Sequence, residues 1–114
     1  MKRKMVMSGL RFYEDLIEAI DTTLKDYLGD AVSQVFYAYL KKRHGLEKED
    51  IPKNIDTFSS GLKGFFGSLG AEVIENLILG IMSKRMKINI NGKGTFAEIM
   101  EEISKRYCQV EREH

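Results

Sequence analysis

The sequence predicts an all-α fold, a compact single domain of about five helices spanning residues 1–114, and three observations support this. Apolar residues recur at three- and four-residue steps, as on the buried side of an amphipathic helix. Glycines and the single proline, Pro52, separate these periodic segments. The chain is 43% hydrophobic, enough for one ordinary globular core. Residues 1–8 and 111–114 are expected to be flexible ends.

The first two helices are predicted from their apolar stripes and their stop signals. The first runs from about Leu10 to Leu28 and ends at Gly29, since glycine adopts the left-handed conformation without strain. The second opens with Asp30 as its N-cap and closes at Gly45. Its predicted core stripe is Val32, Val35, Phe36, Tyr39 and Leu40.

Residues 46–54 are predicted to connect the second and third helices. Pro52 pushes the preceding residue towards an extended conformation, so no helix is expected to cross this point. Leu46 and Ile51 are apolar, and we expect them to dock onto the core and order the connection.

Gly67 divides the next apolar stretch into a short third helix and a fourth helix that ends at about Arg85. Gly61 and Gly64 lie inside the third helix, where each costs about 1 kcal/mol relative to alanine. We expect a close approach by a neighbouring backbone to offset that cost. The residues predicted to face inward on the fourth helix are Val73, Ile74, Leu77, Ile78, Ile81 and Met82.

The last part of the chain combines a short extended segment at residues 87–91, a turn, and a final helix. Thr95 and Glu98 have the spacing of a capping box, in which each side chain accepts a hydrogen bond from the backbone N–H of the other residue. The inner side of this helix is predicted to consist of Phe96, Ile99, Met100, Ile103, Tyr107 and Val110.

Charge and hydropathy indicate a cytoplasmic protein without a membrane segment. The formal net charge is +1, which gives no overall attraction to nucleic acid or to an anionic membrane. The apolar run at residues 77–82 is too short for a membrane span, and the N-terminus lacks the apolar region of a signal peptide. Cys108 is the single cysteine and excludes an internal disulfide, which fits a reducing compartment.

The residue types point away from catalysis. The two histidines, His44 and His114, have no cysteine or histidine partner at metal-ligand spacing. No nucleophile, base and acid can be grouped by any geometric reason. We therefore predict no catalytic residues, no metal site and no cofactor, and we expect that the protein is not an enzyme.

One short segment is a candidate anion site. Lys93, Gly94 and Thr95 precede a helix, whose free N–H groups together with the lysine could hold an anion. The alternative is a turn followed by an ordinary N-cap, which needs no ligand.

Two basic clusters lead to a nucleic-acid-binding alternative. They lie at predicted helix C-termini and consist of Lys41, Lys42 and Arg43, and of Lys84, Arg85 and Lys87. Cations are favoured at helix C-termini for stability alone, so binding would require both clusters on one side of the molecule.

Two apolar residues suggest a subunit contact. Tyr37 and Leu79 fall on the otherwise polar sides of their helices, where an interface would need exposed apolar groups. A homodimer is the commonest closed assembly and is therefore the predicted partner arrangement. A small apolar ligand bound among Phe58, Phe65 and Phe66 is a further alternative, although these rings can equally form plain core.

The middle of the chain also contains a spaced series of residues typical of one family. The series is Asp50-Ile51-Pro52, Phe58, Leu62, Phe66-Gly67, Gly70-Ala71 and Val73-Ile74-Glu75. Over residues 13–85 it resembles the archaeal family called the Nitrosopumilus output domain, type five. The resemblance implies a small helical module that serves as the output of a signalling or regulatory chain in an archaeon. The predicted function is thus a homodimeric, non-enzymatic regulatory or protein-interaction module, with a protein partner in a regulatory pathway.

Overall fold

The computed structural model describes the backbone of residues 2–86 and 94–113 and the side chains of residues 11–85 and 94–107. It confirms the all-α fold, and no strand occurs within these ranges. The elements are α1 (Lys2–Leu28), α2 (Asp30–His44), a 3-10 helix (Lys48–Lys53), α3 (Ile55–Met86) and α4 (Phe96–Glu113). The extended segment predicted at residues 87–91 lies outside the described part of the chain.

Helix α1 is the centre of the fold, because it packs against each of the other described elements. Phe12, Leu16, Ile20 and Leu24 on α1 are buried and belong to one core that includes residues of all five elements. The predicted start of this helix at Leu10 is wrong, since its backbone is helical from Lys2. The lysines, arginine and methionines of residues 2–7 are good helix formers, which the prediction of a start at Leu10 did not take into account.

A single residue, Gly29, turns the chain from α1 into α2. Its φ of 89° is in the region that favours glycine, as predicted. The prediction of Asp30 as N-cap is wrong: Gly29 occupies that position, and no side chain caps the helix. Instead, the Ser33 hydroxyl donates to the Gly29 carbonyl at 2.8 Å, which draws Ser33 into the core.

The connection after α2 is ordered by its apolar residues, as predicted. Leu46 and Ile51 are almost completely buried. The expectation that no helix crosses Pro52 is wrong, because this residue lies inside the 3-10 helix. In so short a helix the proline nitrogen need not donate, and the flanking bonds come from Asp50 N–H to Glu47 and from Asn54 N–H to Ile51.

Helix α3 is a helical hairpin with two arms, residues 55–66 and residues 68–86. Gly67 separates them with φ 80° and ψ 169°, so the predicted boundary is confirmed. The Ser59 hydroxyl of the first arm donates to Glu75 Oε2 of the second arm at 2.6 Å. In a straight helix these residues would lie about 24 Å apart, so the second arm must fold back beside the first.

The glycines inside the first arm make room for α2. A Cβ atom at Gly61 would collide with the Leu40 side chain, and one at Gly64 would meet the Tyr39 hydroxyl. The close approach predicted for these positions is therefore confirmed, although side chains rather than backbone come near. Tight packing of α2 on α3 offsets the helix-forming cost of both glycines.

We expect Gly67→Ala to lower the free energy of unfolding by about 1–3 kcal/mol, because an L-residue is strained at this φ and ψ. Chemical denaturation at low protein concentration measures the change. Gly80→Ala is the matched control: Gly80 is helical, and no atom in the described part of the chain lies within 4 Å of an added Cβ, so alanine should stabilise the fold by about 1 kcal/mol. Equal effects at the two positions would contradict the strained turn.

We expect Thr23→Val to raise the free energy of unfolding by about 1 kcal/mol. Thr23 is 4% exposed, and its Oγ1 has no hydrogen-bond partner among the described residues. Valine keeps the shape and removes the unsatisfied hydroxyl. Thr22→Val, at the exposed neighbouring position, is the control and should change little. Destabilisation by Thr23→Val would show that the hydroxyl has a partner after all.

Candidate functional site

The structure leaves large apolar side chains exposed on α1, α2 and α3. Among the described side chains these are Tyr27, Val32, Val35, Leu69, Val73 and Leu77. Leu69 is 79% exposed and Val35 is 56% exposed, and such residues become informative where several of them form one patch. Four of the six were predicted to be buried, namely Val32, Val35, Val73 and Leu77, and that prediction is wrong.

The exposed residues of the second arm of α3 lie on one side of the helix. At 100° per residue, Leu69, Val73 and Leu77 fall within a sector of about 80°. Asn76, Gly80 and Lys84 share or border this sector, and all six are exposed. We call this set the outer strip. The opposite side of the arm is buried and carries Ala71, Ile74, Ile78 and Met82.

A second apolar strip on α2 consists of Val32 and Val35. It adjoins Phe36, whose buried ring lies 5.2 Å from the ring of Phe66, centroid to centroid. Phe66 immediately precedes the turn at Gly67, and the outer strip begins two residues after that turn. The contact of Phe36 with Phe66 therefore brings α2, the helix that carries this strip, to the corner of the α3 hairpin.

Tyr37 was predicted to lie exposed at an interface, and the structure corrects this. Its hydroxyl donates to Asp21 Oδ1 at 3.1 Å, and Lys48 Nζ lies 5.0 Å from its ring centroid. Burial raises the pKa of the Tyr37 phenol far above its ordinary value, and the nearby Asp21 carboxylate raises it further. Tyr37 thus fastens α2 and the 3-10 helix to α1.

Leu79, the other predicted interface residue, is also occupied by its own chain. It is only 9% exposed and lines a groove together with Phe96 and Ile99 of α4. The outward direction inferred from its polar neighbours is wrong because α4 packs on that side of α3. Among the described residues, the large apolar side chains left exposed on α2 and α3 are therefore those of the α2 strip and the outer strip.

The groove beside Leu79 separates the two arms of α3 from the start of α4. It has a volume of about 430 Å³. Its lining is half polar, with Lys63, Glu72 and Asn76 beside the apolar residues of α4. It can admit water or a small polar molecule, but the described side chains that line it include no histidine, cysteine or arginine.

At the start of α4, the Glu98 side chain already occupies the candidate anion site. Thr95 N–H donates to Glu98 Oε1 at 2.9 Å, and Glu98 N–H donates to Thr95 Oγ1 at 3.1 Å, so the predicted capping box is confirmed. The Glu98 carboxylate also lies where a Cβ of Gly94 would be. A second anion would meet this carboxylate, so Gly94 and Thr95 favour the alternative of turn and cap. Lys93 lies outside the described residues.

The two basic clusters differ in how far their charge is compensated. Arg85 lies 3.1 Å from Asp15 and 2.9 Å from Glu18, and so closes α3 onto α1. Lys41 lies 3.5 Å from Glu47. The remaining described members, Lys42, Arg43 and Lys84, are exposed, and Lys87 is not described. Pairing of Arg85 weakens the second cluster as a phosphate-binding surface.

The phenylalanines proposed as a ligand pocket pack together instead: Phe58 is buried in the core, and Phe65 and Phe66 are half-buried against it. Their rings surround Phe36 at centroid distances of 6.1 Å for Phe58, 5.3 Å for Phe65 and 5.2 Å for Phe66. Edge-to-face and tilted contacts at these distances are typical of a filled aromatic cluster. The described groove is lined by other residues, so these three rings give no support to the small-ligand alternative.

Two further features of the described residues concern metal binding and membrane insertion. No group of three or more histidine, cysteine, aspartate or glutamate side chains is placed to hold a metal ion. The helix Ile55–Arg85 has the length and the mean hydropathy, 1.4, of a segment able to cross a bilayer, by composition alone. In this fold it does not form a straight rod, because Gly67 turns the second arm back onto the first.

We expect acid to destabilise the protein through Asp21. Burial opposes its ionisation, but hydrogen bonds from Lys25, Lys48 and Tyr37 prevail and lower the pKa of the Asp21 carboxyl. Because the folded-state pKa is below the unfolded value of about 3.9, the stabilisation is present above that pH. It is lost as the pH falls through the folded-state pKa.

The measurement is urea denaturation of wild type and Asp21→Asn between neutral pH and strongly acidic pH. At neutral pH the variant should unfold more easily by about 1 kcal/mol, and its stability should fall less steeply below about pH 4. Asp26→Asn, at an exposed position of the same helix, is the control. Parallel acid profiles for wild type and Asp21→Asn would refute the assignment.

Comparison of the chain with protein-family models, with curated proteins and with solved structures found no match. Membership in the Nitrosopumilus output domain family therefore stays a prediction from the spaced residues of the middle segment.

Proposed function

We propose that this chain is a non-enzymatic protein-interaction module that self-associates as a homodimer through the apolar side chains exposed on α2 and α3. The observation that carries the proposal is the outer strip, where Leu69, Val73 and Leu77 are 79%, 41% and 42% exposed on one side of a helix. The resemblance to an archaeal output domain supports a regulatory role in the cytoplasm of an archaeon, with a further protein partner in the same pathway.

The energetics of burial support association. Fully burying one valine or leucine side chain is worth about 1.5–3 kcal/mol relative to leaving it in water. Val32 and Val35 on the α2 strip and the three residues of the outer strip together offer enough gain to offset part of the entropy lost on association. A formal net charge of +1 means that two copies repel each other only weakly.

The test is the molar mass of the full chain by light scattering, from low-micromolar to high-micromolar concentration. We expect the mass to approach twice 13.1 kDa as the concentration rises. Replacing Val35 and Leu69 together by serine should return the mass to that of one chain, with the helical circular dichroism unchanged. In the matched control, serine replaces two exposed polar residues outside the strips, Arg43 and Lys63. This variant should still dimerise.

A wild-type protein that remains monomeric at every concentration would refute the homodimer. Serine variants that dimerise as well as the wild type would refute the role of the strips.

A further inference from the structure

We propose that the two copies associate by antiparallel packing of the second arm of α3, about a two-fold axis between Asn76 and Leu77. This inference rests on the proposed self-association and adds to it the contacting element, its direction and its register. It follows from the order of residues along the outer strip, from one unexplained glycine, and from the placement of two opposite charges.

The first argument is the fit of sizes along the strip. In an antiparallel pair centred between residues 76 and 77, Val73 lies opposite Gly80 of the second copy. Leu77 lies beside its own copy at the axis, and Leu69 lies against the aliphatic stem of Lys84. Val73 therefore meets a small residue and Leu69 a flexible one, and the two Leu77 side chains cover each other at the axis, as close packing of two helices requires.

The second argument is the unexplained glycine. Gly80 lies in the interior of the arm, is exposed, and has no atom of the described residues within 4 Å of an added Cβ. A helical glycine costs about 1 kcal/mol relative to alanine, and no contact within the described chain compensates for it. At Gly61 and Gly64 the side chains of α2 supply such a contact. A Val73 side chain from a second copy would give Gly80 the same kind of role.

The third argument is the direction of the charges. Glu72 lies beside the first half of the strip, and Lys84 lies at its other end, about 18 Å further along the helix. An antiparallel pair brings Lys84 within about one turn of Glu72 of the second copy, at both ends of the contact. A parallel pair would place lysine against lysine and glutamate against glutamate, which is unfavourable.

Asn76, beside the proposed axis, can also pair with Asn76 of the second copy. Asn76 is exposed at the edge of the strip, and its amide both donates and accepts hydrogen bonds. Two copies of this amide meet across the proposed axis and can satisfy each other. A polar pair at the centre of an apolar helix contact fixes the register, since any shift leaves both amides unpaired.

Cysteine cross-linking of the full chain tests direction and register. In a Cys108→Ser background, Leu77→Cys places two thiols at the axis, whereas Leu69→Cys places them about 22 Å apart along the helices. We expect mild oxidation to give the disulfide-linked dimer at least about tenfold faster with Leu77→Cys than with Leu69→Cys. Fast linking of Leu69→Cys would overturn the antiparallel direction.

Two substitutions by glutamate, measured for their effect on dimerisation, test this inference independently of the proposed function. Leu77→Glu should abolish the dimer, whereas Val35→Glu, on the α2 strip away from the proposed axis, should weaken it less, although Val35 is 56% exposed and Leu77 42%. Circular dichroism and thermal unfolding confirm that both variants fold. If only Val35→Glu abolishes the dimer, self-association stands and the α3 pair is refuted. If wild type is monomeric, or binds phosphatidylcholine–phosphatidylglycerol vesicles as a monomer through this strip, both proposals fail.

Discussion

The backbone conformation at Gly67 determines where the apolar side chains of α3 point. As one straight helix, Ile55–Met86 would extend about 48 Å and could not pack both halves onto a small core. The turn folds the second arm back, and the bond between Ser59 and Glu75 holds it there. The second arm then contacts α1 and α4 on one side and presents the outer strip on the other. Core and candidate interface are thus two sides of the same element.

Local signals made several helix ends predictable, although not the start of α1. Gly29, Gly45 and Gly67 all have positive φ, and each separates two segments with different apolar stripes. The capping box depends on only two residues, Thr95 and Glu98, and it forms as their spacing predicts. Such signals depend on the chain only a few residues away, so no knowledge of the tertiary structure is needed to read them.

The buried side of each helix was harder to predict, because it depends on neighbours that are distant in sequence. The second arm of α3 is apolar over more than half its circumference, so periodicity allowed Val73 and Leu77 inside and Leu79 outside. The packing of α4 buries Leu79 instead, since Phe96 and Ile99 lie beside it. Tyr37 likewise looked exposed because its partner, Asp21, belongs to another helix. The large apolar side chains that the structure exposes are therefore not the two, Tyr37 and Leu79, that the sequence predicted to be exposed.

Asp15 joins parts of the chain that are synthesised at very different times. Its carboxylate accepts hydrogen bonds from Arg85 and Tyr107, which follow it by 70 and 92 residues. While the chain emerges from the ribosome, the side of α1 around Phe12 and Asp15 lacks the part of its cover that Tyr107 supplies until α4 has left the exit tunnel. The nascent chain consequently carries an open apolar surface for most of its synthesis, and a chaperone that holds such surfaces would act on it before the last helix docks.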